Sequence, residues 1–168
     1  MRKFLADIQL RAIIKRFATS KNKQFLSWSN IQKVALVLNA DQNINKSVID
    51  KFVAKHQKYM EVFYVEVQSK ASTYADWQCI TKNDLNILQL PKSALLTNFH
   101  QKQFDLVINT CDENDLVSQS IGSALIANYK CASFEKLSAA NLVIKRPAES
   151  KLNDYLEEIV KYLKMIKN

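Results

Sequence analysis

A single glycine, Gly122, stands in 168 residues, and that scarcity excludes more than any motif present. Loops in which backbone N–H groups cradle phosphate need several residues free of Cβ. A dinucleotide fingerprint takes three glycines at its turn, a P-loop takes two with Lys and Ser or Thr, and a nucleophile elbow takes one on each side of its serine. None of these can be written here, nor the glycine-rich turn usual in methyltransferases, so classical nucleotide and dinucleotide enzymes are disfavoured. A binder that works through side chains is untouched by this exclusion.

Cysteine is sparse and oddly placed. Cys79, Cys111 and Cys131 are widely spaced and odd in number, which reads as free thiols of a reducing cytoplasm. No C-x-x-C pair exists and His56 and His100 stand alone, so neither a metal site nor a cofactor is expected. Long apolar runs are missing as well: stretches such as Val34 to Leu38 fall far short of the roughly 20 residues a membrane-spanning helix needs. Asp7 and Arg11 break up the segment after Arg2 and Lys3, and no small-residue cleavage site comes after them. The expectation is a cytoplasmic protein that is neither secreted nor integral to a membrane.

What is present is positive charge, unevenly spread. The formal net charge is +8. Residues 1–23 hold Arg2, Lys3, Arg11, Lys15, Arg16, Lys21 and Lys23 against Asp7 alone, which is 7 − 1 = +6, leaving +2 for the remainder. Such a segment either attracts an anionic partner (RNA, a membrane surface or an acidic protein) or is a solvated helix face. Within it Phe4, Leu5, Ile8, Ala12, Ile13 or Ile14, and Phe17 recur at three- and four-residue steps, predicting a helix over 2–18. The chain therefore divides into a basic amphipathic N-terminal helix and linker, 1–23, and a single α/β domain, 24–168.

The second part alternates strand and helix. The apolar run within Ile31–Asn39 predicts a central parallel strand. Val48, Ile49, Phe52 and Val53 then mark a helix, and Tyr59–Val67 a second strand, completing a βαβ unit. Cys79–Thr81 is a short strand candidate. Pro91 suits the first residue of a helix, Phe104–Thr110 reads as a strand, Asp115–Ala127 as a helix and Tyr129–Phe134 as a strand. Asn141–Lys145 is a last short strand candidate. A final amphipathic helix from about Ser150 to Ile166 puts Leu152, Tyr155, Leu156, Ile159, Leu163 and Ile166 on one stripe, with a Glu157–Lys161 pair four apart. The predicted fold is a doubly wound, mostly parallel sheet flanked by helices.

Ligands of such sheets bind beyond the carboxyl ends of the strands. That rule selects Asn39, Asp41 and Asn43 after the first strand and Thr110, Cys111 and Asp112 after the Phe104 strand. Asp41 and Asp112 are either two carboxylates suited to acid/base work or to a hydrated cation, or caps for the helices beyond them. Cys111, at a strand end before a helix, is either an activated thiol or a small buried hydrophobe. Tyr59, Phe63 and Tyr64 beside Lys55 and Lys58 fit an RNA-stacking surface or an ordinary core strand.

From Cys79 to Phe134 the chain resembles a family of small uncharacterised proteins of the Bacteroidota, a domain of unknown function. The resembling residues are Ile80-Thr81-Lys82-Asn83-Asp84-Leu85-Asn86, Pro91-Lys92-Ser93, Phe104-Asp105-Leu106-Val107-Ile108-Asn109, Ser123-Ala124 and Tyr129-Lys130-Cys131, with Tyr162-Leu163 and Ile166 in the last helix. The family has a glycine just before Pro-Lys-Ser and a Val-Gly pair ending the last of these strands; this chain has Leu88-Gln89-Leu90 and Cys131-Ala132 there. The resemblance implies a cytoplasmic bacterial α/β protein and brings no activity.

With no complete catalytic set, the reading is a non-catalytic binding or adaptor domain that engages an anionic partner or larger assembly through its basic helix. The alternatives are an RNA- or ribosome-associated protein, and a small-molecule-binding or transferase-type enzyme acting at the strand ends.

Overall fold

The computed structural model describes residues 2–18, 26–40, 44–67, 74–134, 140–147 and 150–166. Six strands, β1 (Lys33–Asn39), β2 (Tyr59–Glu66), β3 (Gln78–Thr81), β4 (Gln103–Asn109), β5 (Ile126–Ala132) and β6 (Leu142–Val143), form one sheet in the order β3-β2-β1-β4-β5-β6. Every pairing between these strands is parallel. The helices are α1 (Arg2–Phe17), α2 (Lys46–His56), α3 (Ser93–Phe99), α4 (Leu116–Ala124) and α5 (Leu152–Met165). None is long and apolar enough to cross a membrane. The chain adds β2 and β3 on one side of β1, then crosses back to lay β4 on the other. The doubly wound fold expected from the alternation of elements is the one observed, with its switch point between β1 and β4.

Side chains alternate across the central strands as a two-residue period requires. Val34, Leu36 and Leu38 of β1, with Val62 and Tyr64 of β2, join the core under α2 and α5. Ala35, Val37, Phe63 and Val65 face the opposite way, into the core shared by α1, α3 and α4. Phe63 is fully buried and Tyr64 nearly so, so two of the three aromatic residues considered for RNA stacking belong to the two cores instead.

α1 is fixed to this second core by Ala6, Ile13 and Phe17, with Leu10 fully buried on the same stripe. It packs on α4, whose residues 117–124 are all buried. The stripe shares only Ile13 and Phe17 with the one the sequence suggested: Phe4, Leu5 and Ile8 point outward, 67%, 45% and 49% exposed. The helix is apolar on two faces, and periodicity alone cannot say which one docks.

Two boundaries and one side-chain pairing differ for identifiable reasons. Pro91 is not in a helix; it bridges back to Leu85, and Lys92 precedes α3 in extended geometry. α4 stops at Ala124, short of the expected Ala127, because β5 begins at Ile126. Buried Lys130 reaches from β5 to the helix end, its Nζ donating to the carbonyls of Gly122 at 2.9 Å and Ser123 at 2.7 Å. That satisfies two of the C-terminal acceptors every helix leaves open. Finally, Glu157 of α5 turns to α2 and accepts from Lys55 Nζ at 2.7 Å, with His56 Nε2 at 3.1 Å.

Scarce glycine leaves its mark on the turns. Among the described residues the left-handed ones are Gln57 and Gln89, φ 52° and 62°, conformations that glycine adopts without steric cost. Gln89 lies in the turn before Pro91, its N–H donating to Asn86 O at 3.0 Å.

Candidate functional site

At the switch point the carboxyl ends of β1 and β4 diverge and open a crevice of about 400 Å³. Asn39 at the end of β1, Val65 near the end of β2, Val67 just after it, Gln89, and residues 112 and 114–117 at the start of α4 line it. Its volume falls within the range of small-molecule sites.

Asp115 organises this wall. As N-cap of α4 it accepts from Ser118 N at 2.9 Å and from Ser118 Oγ at 2.6 Å. It also accepts from Asn39 Nδ2, tying the end of β1 to the start of α4. A carboxylate of the chain thus occupies the helix N-terminus, where oriented N–H groups would otherwise attract an anion. With Asp112 beside it and no Lys, Arg or His among the described lining residues, this part of the crevice suits a ligand rich in hydrogen-bond donors or positive charge better than a phosphate.

Of the residues selected at the strand ends, Asn39 and Asp112 line the crevice. Asp112 accepts from Asn114 N at 2.8 Å, a local turn rather than a helix cap. Thr110 and Cys111 are buried and bind β4 to β1: Thr110 N and Oγ1 donate to Val37 O, and Cys111 Sγ lies 3.8 Å from the same carbonyl. Burial, reinforced by the carboxylate of Asp115, pushes the Cys111 thiol well above its ordinary value, the opposite of an activated nucleophile. Asp41 and Asn43 lie outside the described residues. Asp115 was missed as a site residue, although serine three positions after an aspartate that opens a helix is a capping signal.

Neither histidine stands beside Cys111 as a base. The ring of His56 is wedged between Trp28 at 5.3 Å and Phe52 at 4.5 Å. His100 Nδ1 is 2.9 Å from Ala124 O. Among the described residues no group of three or more His, Cys, Asp and Glu could hold a metal, and none of the three cysteines is in a disulfide.

The second candidate surface is the outer face of α1. Lys3, Arg11, Lys15 and Arg16 are exposed around Phe4, Leu5 and Ile8. Arg16 is partly committed, donating to Ser93 Oγ at 3.0 Å and lying 5.1 Å from the Phe17 ring. Lys21 and Lys23 lie outside the described residues, as does the side chain of Arg2. On one flank of α1, Asn86 Nδ2 donates to Gln9 Oε1 at 3.4 Å, which brings the next residue, Ile87, alongside the helix with 86% of its surface exposed.

The model of a family of unknown function (DUF6913) matches residues 2–166. No curated protein and no solved structure matches the chain.

Proposed function

Since the chain belongs to DUF6913, a family without an assigned function, we propose from the geometry of its surface that it is a non-catalytic docking domain. Residues 24–168 are the platform, and residues 1–23 carry the contact to an anionic partner or larger assembly. One observation carries this reading: α1 spends one apolar face, Ala6, Leu10, Ile13 and Phe17, on its own domain and still presents a second, Phe4, Leu5 and Ile8, among basic residues. Single exposed apolar side chains are ordinary, whereas several together, rimmed by charge, mark an interaction site. The buried, protonated Cys111 and the packed histidines support the non-catalytic half of the proposal, and the three cysteines, none in a disulfide, favour a reducing, cytoplasmic setting.

Because α1 holds part of the core, deletion is a poor test. The informative variant is Lys3→Glu/Arg11→Glu/Lys15→Glu, which leaves the inner face intact. Tagged wild type, purified from its native lysate at low and high salt, should carry a partner that leaves as salt rises, and the variant should carry none. A clean monomer at both salts that also leaves lipid vesicles unbound would end the docking reading.

The crevice supports a second reading, a small-molecule binder that contacts its ligand through Asp112. A thermal-shift screen of amines and polyols against wild type and Asp112→Asn tests it: a stabiliser lost in the variant supports it, and a screen with no stabiliser removes it.

A further inference from the structure

The outer face of α1 has the composition of a bilayer-contacting surface, and we infer that its partner is an anionic lipid membrane, an inference that rests on the docking reading above. Phe4 and Ile8 lie one turn apart on the exposed face, with Leu5 beside them, and Arg11 and Lys15 continue the same stripe toward the helix C-terminus. Asp7, the one acidic residue of α1, is only part-exposed and stands one turn from both Lys3 and Arg11. Ile87, in the turn joined to α1 through the Asn86–Gln9 bond, is exposed as well.

A helix lying in a membrane interface needs this arrangement: bulky apolar groups to enter the acyl boundary and lysine or arginine to meet the headgroups. RNA would reward the charges but gains nothing from Leu5, Ile8 and Ile87, whose side chains cannot stack on bases. A second copy of the chain would bring the two basic faces together, against their repulsion. An acidic protein would need a groove shaped to a convex helix, whereas a bilayer conforms to it. Charge complementarity and exposed apolar groups together favour the lipid surface.

The full-length chain is to be sedimented with vesicles of phosphatidylcholine and with vesicles of an equal mixture of phosphatidylcholine and phosphatidylglycerol. Binding is expected to the mixed vesicles only and to fall with salt. Arg11→Gln/Lys15→Gln should weaken it about fivefold per charge, or about 25-fold, while Lys161→Gln/Lys164→Gln on α5, with the same change in net charge, leaves it intact. Phe4→Ser/Ile8→Ser should weaken it at unchanged charge, with circular dichroism showing that the fold is kept. Leu5→Trp should shift its emission to the blue on binding, as a side chain entering the acyl boundary does.

Failure to bind anionic vesicles at low salt overturns the inference, as does binding indifferent to the α1 substitutions. If vesicles fail but wild type captures RNA or a protein that the α1 variants lose, the docking reading survives with another occupant. Self-association lost in Phe4→Ser would likewise replace the membrane by a second copy. Loss of every partner removes both.

Discussion

Lys130→Met isolates the cost of ending α4 without its cation. The lysine is 8% exposed, and its ammonium donates to the carbonyls of Gly122 and Ser123 at 2.9 and 2.7 Å. Hydrogen bonds from a charged group contribute about 1.5–3 kcal/mol each, and a cation at a helix C-terminus adds about 0.3–1 kcal/mol. Against these stands the desolvation of the ammonium, several kcal/mol, which methionine does not incur while keeping most of the apolar stem. The two sides roughly cancel, so the remainder decides. Two buried carbonyls lose their partner at about 1–3 kcal/mol each, for a net destabilisation of about 2–6 kcal/mol. Urea unfolding should show the unfolding free energy falling by that amount with the slope unchanged, and heating should show a loss of roughly 4–24 °C for a domain of this size. A variant within about 0.5 kcal/mol of wild type would refute the reasoning, because it would mean that water or a shifted backbone meets those carbonyls as well as the ammonium does.

Gly122 should tolerate alanine but not valine. A Cβ there would sit 3.3 Å from Asn109 Nδ2, which is held by Ser118 O at 3.2 Å, so the helical gain of about 1 kcal/mol is largely spent and alanine stays within about 1 kcal/mol of wild type. Valine pushes further into β4 and should cost about 2–3 kcal/mol; equal urea midpoints for the two would disprove the close approach. Glu157 is pushed up by partial burial but held below the usual carboxylate range overall by its bonds to Lys55 and His56. A folded value below the unfolded one means stability fully present above the ordinary carboxylate range and lost as pH falls through the folded value. Unfolding midpoints followed from neutral to acid should therefore fall less steeply for Glu157→Gln than for wild type. Burial raises the Cys131 thiol to about 12 and Cys111 well up also, so a thiol reagent near neutral pH should modify part-exposed Cys79 quickly and the other two only on unfolding. Rapid labelling of Cys111 in the folded chain would reopen its candidacy as a nucleophile.

Local chemistry in the chain was enough to place the elements that bury one clear face. The run Val34–Leu38 is apolar on both sides because helices cover both sides of β1, and the α5 stripe Leu152, Tyr155, Leu156, Ile159 and Leu163 is buried as its spacing requires. α1 misled because it has two apolar faces, and only packing on α4 decides between them. The end of α4 was hidden because Leu125 and Ala127 continue a helical pattern, while the side chain that terminates the helix comes from the next strand. In the crevice, Asn39 and Asp112 emerge from the rule of strand ends. The part played by Asp115 depends on Asn39, 76 positions earlier, a pairing that no local pattern contains.

The packing of α1 on α4 also sets an order of events during synthesis. About 100 residues separate Phe17 from Leu116, which at roughly 5–20 residues per second is about 5–20 s of translation. Throughout that interval α1 has left the ribosome while the helix that covers its inner face has not yet been made. Both apolar faces of a basic helix are then open to whatever lies nearby, and whichever surface captures the outer one first can hold α1 in place until α4 arrives.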